Sequence, residues 1–288
     1  MRSWLTVAPE KERMLEKAAT AGADVIVVDL ARAMTEERKI PVRLAAREWL
    51  SSHSEHVVAA RHFRRWVRIG PVRAPNWRDD LEAALEARID GVILAECSGE
   101  DDIKQLASYL YESEGRFGIA SNAVPIVPEL GSSPRAALTL DALIGAIHPR
   151  VSALAWDAVG LARAIDARRL RGPGGLWIDP LAALRAKVLL IAHASGLGVL
   201  EAAYTGAKEE DTARFSAAAR ADGFTGMIAV RREQVDPINE AFSASDEQRA
   251  EAREIVGVFS LNPSATMVPF RGRWIGQHEL AAARGLLD

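Results

Sequence analysis

Eight short apolar or β-branched runs recur along the chain, at residues 4–7, 25–30, 66–69, 91–94, 125–127, 153–156, 198–201 and 227–230. Runs of this kind fit strands buried on both faces, because a strand covered on one face only alternates apolar and polar residues. Amphipathic stretches at 10–21, 36–50, 79–88, 100–111, 180–194 and 211–221 lie between them and fit helices. Right-handed crossovers place every helix outside the strands, so eight such units close into a (β/α)8 TIM barrel, an α/β fold. An open doubly wound sheet is the competing arrangement, and the lack of a GxGxxG turn after an early strand counts against it.

The expected barrel spans residues 1–232, and residues 233–288 form a C-terminal helical extension. In that extension, helices are expected at 234–242 and 246–259, then a turn-rich stretch, NPSATMVPFRGRW, and a last helix from Gln277. The single cysteine, Cys97, excludes an intrachain disulfide and fits a reducing compartment, so the cytoplasm is expected. The opening MRSWLTVAPEKERMLEKA turns charged too early for a signal peptide, no run reaches spanning length, and no membrane partner is expected. With 36 basic and 39 acidic residues there is no basic field for nucleic acid. The local cluster HFRRWVRIGPVR reads as a strand with a solvated basic entrance.

Several motifs occur in order: VAPEKERMLEKA, GADVIVVDL with TEERK, VRIG, DGVIL, PIVPEL, LAW, AAYT and DGFTGMIAVRREQVDPINEAF. Together they resemble the citrate lyase beta subunit and the wider HpcH/HpaI aldolase/citrate lyase family. Its members typically read Gly-Phe-Thr-Gly-Lys, a short apolar strand and His-Pro near the last motif. The resemblance implies a barrel that cleaves or forms a carbon-carbon bond beside a carbonyl through an enolate, with Mg2+ as cofactor. It implies a small oxo- or hydroxy-acid or its CoA thioester as substrate, and a homo-oligomer, trimer or hexamer. The extension would then pack on the barrel and a neighbouring subunit.

Barrel active sites lie at the C-terminal ends of the strands. There Arg68 matches the family arginine that grips a substrate carboxylate or carbonyl, and Glu129 matches the magnesium-coordinating glutamate. These two are the expected catalytic residues. In VSALAWDAVGLARAID, where members read Leu-Ala-Trp/Phe-Gly-Ala-Glu-Asp-Leu, Gly160 stands in place of the metal-binding aspartate. Further departures are Ala31 and Arg32 for Glu-Asp, Gly70 for Asn, Ala95 and Glu96 for Pro-Lys, and Gly206 for Asp. At the eighth strand, Met227, Arg231 and Arg232 replace Lys and His-Pro.

Arg32, Arg68 and Arg231 are expected to make a cationic, substrate-binding mouth, as binders rather than bases because arginine stays charged. Glu129 is the expected metal ligand. Asp157 is a candidate second ligand, ranked behind its alternative role as the cap of the following helix. Glu96 is placed with Glu129 and Asp157 at the mouth, and an Arg32–Glu96 ion pair with exchanged signs is expected. Plainer roles are assigned elsewhere. Arg231 and Arg232 compete with surface pairing to Glu233 or Asp236, Cys97 reads as a buried thiol, and His193 as a packed or surface histidine. His53, His56, His148 and His278 lack zinc-ligand spacing. Trp4, Trp66 and Trp156 are expected to fill the barrel. The leading reading is a carbon-carbon lyase or aldolase; alternatives are a degenerate barrel serving as a ligand-binding or assembly subunit, or a metal-independent acyl-CoA enzyme.

Overall fold

Parallel strands β1 (Ser3–Val7), β2 (Val25–Asp29), β3 (Arg64–Ile69), β4 (Gly91–Cys97), β5 (Ile126–Leu130), β6 (Ala153–Trp156), β7 (Gly198–Glu201) and β8 (Gly226–Ala229) follow one another around a closed barrel. The computed structural model describes residues 1–10, 12–31, 35–54, 62–206 and 209–287. Closure is made by β8 beside β1, with Ser3, Trp4 and Leu5 in register with Met227, Ile228 and Ala229. The helices are α1 (Glu12–Ala18), α2 (Glu36–Ser52), α3 (Trp77–Glu86), α4 (Glu100–Arg116), α5 (Pro134–Leu138), α6 (Ala158–Ala164), α7 (Asp179–Ala194), α8 (Glu209–Asp222) and α9 (Val235–Phe242). Among the described residues, no helix is long and apolar enough to cross a membrane.

Strand parity divides the buried residues into two layers. One set, including Trp4, Val25, Val27, Trp66, Ile93 and Val127, fills the barrel interior. The alternate set, with Ile26, Val28, Val67, Leu94 and Leu154 among it, packs against the helices. Trp4 and Trp66 meet edge to face inside the barrel, with centroids 4.8 Å apart. Gly91 makes room for Trp66, since a Cβ there would lie 2.5 Å from its Cη2. Trp156 departs from expectation. Its neighbour Ala155 points inward, so the indole lies in the outer layer, where Nε1 donates to Glu201 Oε1 at 3.0 Å.

β4 runs three residues beyond the expected 91–94 and carries a bulge. Its register with β5 jumps from Leu94–Pro128 to Cys97–Leu130, and Glu96 takes a left-handed backbone with φ +50°. Both features belong to strand ends that re-aim a side chain. α5 and α6 are short helices without the long amphipathic pattern that marks the others in sequence.

The chain divides into units Met1–Phe242 and Ser243–Asp288. In the first, α9 buries Val235, Ile238 and Phe242. Asn239 Oδ1 accepts from Ser3 Oγ at 2.6 Å while its amide donates to the Gly22 carbonyl at 2.8 Å. The second unit contains α10 (Asp246–Leu261), β9 (Met267–Phe270), β10 (Arg273–Gly276) and α11 (Gln277–Leu287) around Ile255, Phe259, Phe270, Ile275 and Leu280. The stretch expected to be turn-rich contains most of the β9–β10 hairpin. Its two-residue turn, Arg271-Gly272, has φ +45° and +81°, the conformation that matches strand twist.

Candidate active site

The interior face of β2 reads Val25, Val27, Asp29, and the same alternation leads from Trp66 to Arg68 on β3 and from Val127 to Glu129 on β5. Three charged side chains therefore rise into the C-terminal mouth, one step above the apolar filling. Asp29 and Arg68 are direct register partners. Arg68 Nη1 donates to Asp29 Oδ1 at 3.1 Å, and Nη2 and Nε donate to Glu129 Oε2 at 2.6 and 3.2 Å. Among the described residues three of the five guanidinium N–H groups are thus engaged, leaving one on each terminal nitrogen for a ligand.

Burial disfavours charge on Glu129, and its pKa is raised: Arg68 pulls it down, while the nearby Asp157 and Asp29 carboxylates push it up. Burial also works against the Arg68 cation, but Glu129 and Asp29 outweigh it and hold its pKa above the ordinary arginine value. The trio lines an inner cavity of about 200 Å³ together with Asp157, Thr6, Thr205 and apolar residues. Arg68 and Asp157 also line an adjoining outer cavity of about 550 Å³, which Glu96, Ser132, Gly160 and Arg163 border.

Asp157 caps α6, its Oδ1 accepting from Gly160 N at 2.7 Å, in agreement with the role ranked first for it. Glu96 reaches the outer cavity without joining Glu129. The bulge turns it toward Arg73, whose Nη2 donates to its Oε2 at 2.6 Å. Arg32 lies outside the described residues, and with it the expected Arg32–Glu96 pair. Arg231 follows the end of β8 and donates to the Gly206 carbonyl. Its position is fixed by Gln234, which accepts from the Val230 and Arg231 amides and donates to the Tyr204 carbonyl. Arg232 donates to the Thr20 carbonyl.

Sequence reasoning missed Asp29, although an acid at the inward parity of an otherwise apolar strand is a usable signal. It also missed the buried Glu201, which accepts from Arg185 Nε at 2.5 Å, Trp156 Nε1 and the Ala202 amide, and ties β6, β7 and α7 together. Cys97 is buried, and desolvation pushes its thiol up to about 12. His193 contacts the Gly223 carbonyl through Nε2. Met227 faces the helical layer, where Ser216 Oγ donates to its sulfur.

A closed (β/α)8 barrel with an arginine clasped by two acids at the C-terminal ends of its strands has a charged cluster where barrel enzymes carry their active sites. The HpcH/HpaI aldolase/citrate lyase family model matches residues 2–231, and the chain belongs to that family. A (3S)-malyl-CoA thioesterase of Cereibacter sphaeroides (strain ATCC 17029 / ATH 2.4.9) is 28% identical over 263 residues, 90% of this chain and 82% of the relative. A citrate lyase subunit beta-like protein of Deinococcus radiodurans is 25% identical, covering 100% of this chain and 96% of its own. Among solved structures, the Mycobacterium tuberculosis CitE complex with magnesium, acetoacetate and coenzyme A superposes with a TM-score of 0.71 at 23% identity, covering 99% of this chain and 96% of that one. A citrate lyase from Burkholderia xenovorans LB400 gives 0.78 at 20% identity, covering 99% and 90%, and both share the fold.

Proposed function

We propose that the chain is a carbon-carbon lyase or aldolase acting on a small oxo- or hydroxy-acid or its CoA thioester. The observation that carries this reading is Arg68, held between Asp29 and Glu129 at the barrel mouth inside the family match, with N–H groups left to receive a carboxylate or carbonyl oxygen. Two acids on one guanidinium fix its plane, so substrate binding costs little further ordering. When the bond beside the carbonyl breaks, negative charge grows on the carbonyl oxygen, and a preorganised guanidinium stabilises it there.

Magnesium is the expected ion; among the described residues no group of three or more His, Cys, Asp or Glu is assembled to hold it, so the protein would contribute two carboxylates and water the remaining ligands. The charged lining of the inner cavity among the described residues is Asp29, Glu129 and Asp157 against Arg68, an excess of carboxylate with hard oxygen donors. Glu129 and Asp157 would hold the ion, whose chemistry there is Lewis-acid stabilisation of the enolate oxygen. Homo-oligomer formation, with residues 233–288 packing on the barrel and a neighbouring subunit, and a cytoplasmic setting complete the reading. The buried free thiol of Cys97 agrees with the latter.

The test is turnover of a hydroxyacyl-CoA panel that includes malyl-CoA, following oxo-acid and free thiol separately so that carbon-carbon cleavage is distinguished from thioester hydrolysis. Oxo-acid release that falls about 10²–10³-fold in kcat for Arg68→Gln is expected from loss of one preorganised charge stabiliser. No turnover of any acid or thioester by folded protein, with or without magnesium, would sink the proposal in favour of a binding or assembly role.

A further inference from the structure

Away from the barrel mouth, the described residues form another charged cavity, of about 260 Å³, which shares no lining residue with either mouth cavity. Leu200 of β7 points into the barrel, so Glu201 points outward, toward the helices. There the loop between α6 and α7, together with α7 and α8, forms the cavity around it. Arg171 pairs with Trp177 across that loop, which puts both side chains on one side. The Arg171 guanidinium carbon lies 3.6 Å from the Trp177 ring centre and 4.1 Å from that of Phe215 on α8. Gly175, at φ +80°, lets the loop come this close, since a Cβ there would overlap Phe215 Cζ and lie 2.9 Å from Cε1.

The cations of this cavity differ in what they face. Arg185 donates from Nε to Glu201 at 2.5 Å and pairs through Nη2 with Asp222 at 2.9 Å, and Arg214 pairs with Asp211 at 2.9 Å. Arg171 has no carboxylate partner among the described residues; only its Nη1 is engaged, donating to the Gly175 carbonyl at 2.7 Å. The aromatic rings attract the cation without neutralising it. Burial without a paired anion pushes its pKa down to about 10, although Glu201 works the other way. We propose that this cavity is a second ligand site, which takes a small aliphatic carboxylate on the N–H edge of Arg171. A guanidinium edge matches the two coplanar oxygens of a carboxylate. A phosphate dianion would meet stronger repulsion from Glu201 and Asp222 in the same lining, while Leu176 and Ala218 offer an apolar wall to a short alkyl chain. The site stands apart from the lyase reading, because no residue of the mouth takes part in it.

Propionate is the probe, titrated into the full chain labelled with 5-fluorotryptophan and followed by fluorine NMR. The Trp177 signal is identified by its loss in Trp177→Phe, and folding of each variant is checked by thermal melting. The Trp177 signal should shift saturably with propionate. Arg171→Gln should raise the half-saturating concentration about tenfold or more, the scale of a lost charge-assisted hydrogen bond. Arg171→Lys, which keeps the charge but not the fork, should recover only part of that loss. Ala218→Leu fills the cavity from an exposed helix position and leaves every charge in place. It should weaken binding as strongly, and it carries the test if Arg171→Gln does not fold. A Trp177 signal that propionate leaves unmoved, or one that responds equally in Ala218→Leu or in folded Arg171→Gln, would overturn the site. Tighter binding of inorganic phosphate than of propionate would overturn the choice of a carboxylate.

Discussion

Arg68 spends three of its N–H groups on Asp29 and Glu129, so its removal acts on the fold as well as on any ligand. Arg68→Ala leaves two acids at the mouth without their counter-ion, and a loss of roughly 3–5 kcal/mol is expected in urea unfolding. Arg68→Lys keeps a charge but not the fork, so it should recover much of that stability while remaining poor in turnover. Equal stability of the alanine variant and the unmodified chain would contradict the clasp. Cys97 gives a second expectation at this scale: buried and pushed up to about 12, its thiol should react with a disulfide reagent at neutral pH only as fast as the barrel opens. Arg68 and Glu129 were legible because each sits at a strand end within an ordered motif. Where Arg231 points was not legible, because two residues past β8 the chain turns and Gln234, not strand parity, holds its backbone.

At the scale of elements, the connection from α4 to β5 is secured by a buried ion pair that sequence periodicity cannot reveal. Glu114 accepts from both terminal nitrogens of Arg150 at 2.7 Å and from the Asn122 and Val124 amides. Burial raises its pKa, but these donors outweigh burial and the net shift is downward. A carboxylate ionised more readily in the fold than in the unfolded chain contributes stability that is complete above its unfolded value, about 4.3. That stability is lost as pH falls through the lower folded value. Glu114→Gln should therefore cost roughly 3–5 kcal/mol near neutral pH, and the gap to the unmodified chain should narrow below about pH 4. A gap that stays constant down to pH 3 would contradict this account. The eight strands were readable because both faces are buried, which makes each a short apolar run. The β4 bulge and the β9–β10 hairpin were not, since they depend on positive φ at Glu96, Arg271 and Gly272, and only the glycine announces it.

For the whole molecule, the question is where the barrel ends. The family match stops at residue 231, yet the first unit runs to Phe242. Between them, α9 buries Val235, Ile238 and Phe242, and Asn239 bridges Ser3 on β1 to the Gly22 carbonyl. Ser3 lies in register with Met227, so this helix sits on the seam where β8 closes onto β1. Burying three large apolar side chains is worth about 1.5–3 kcal/mol each before the cost of ordering the helix, a large share of a typical domain stability of 5–15 kcal/mol. A chain ending at Phe242 keeps the seam and the complete inner cavity, and should unfold in one cooperative step and bind acids as the full chain does. A chain ending at Arg231 should lose cooperativity or fail to fold. Light scattering on the first of these reports whether residues 243–288 are needed for assembly, with a trimer or hexamer expected for the full chain and a smaller species without them. A shortened chain that folds but no longer binds acids would mean that the second unit completes the site, and that Arg68, Asp29 and Glu129 are not sufficient on their own.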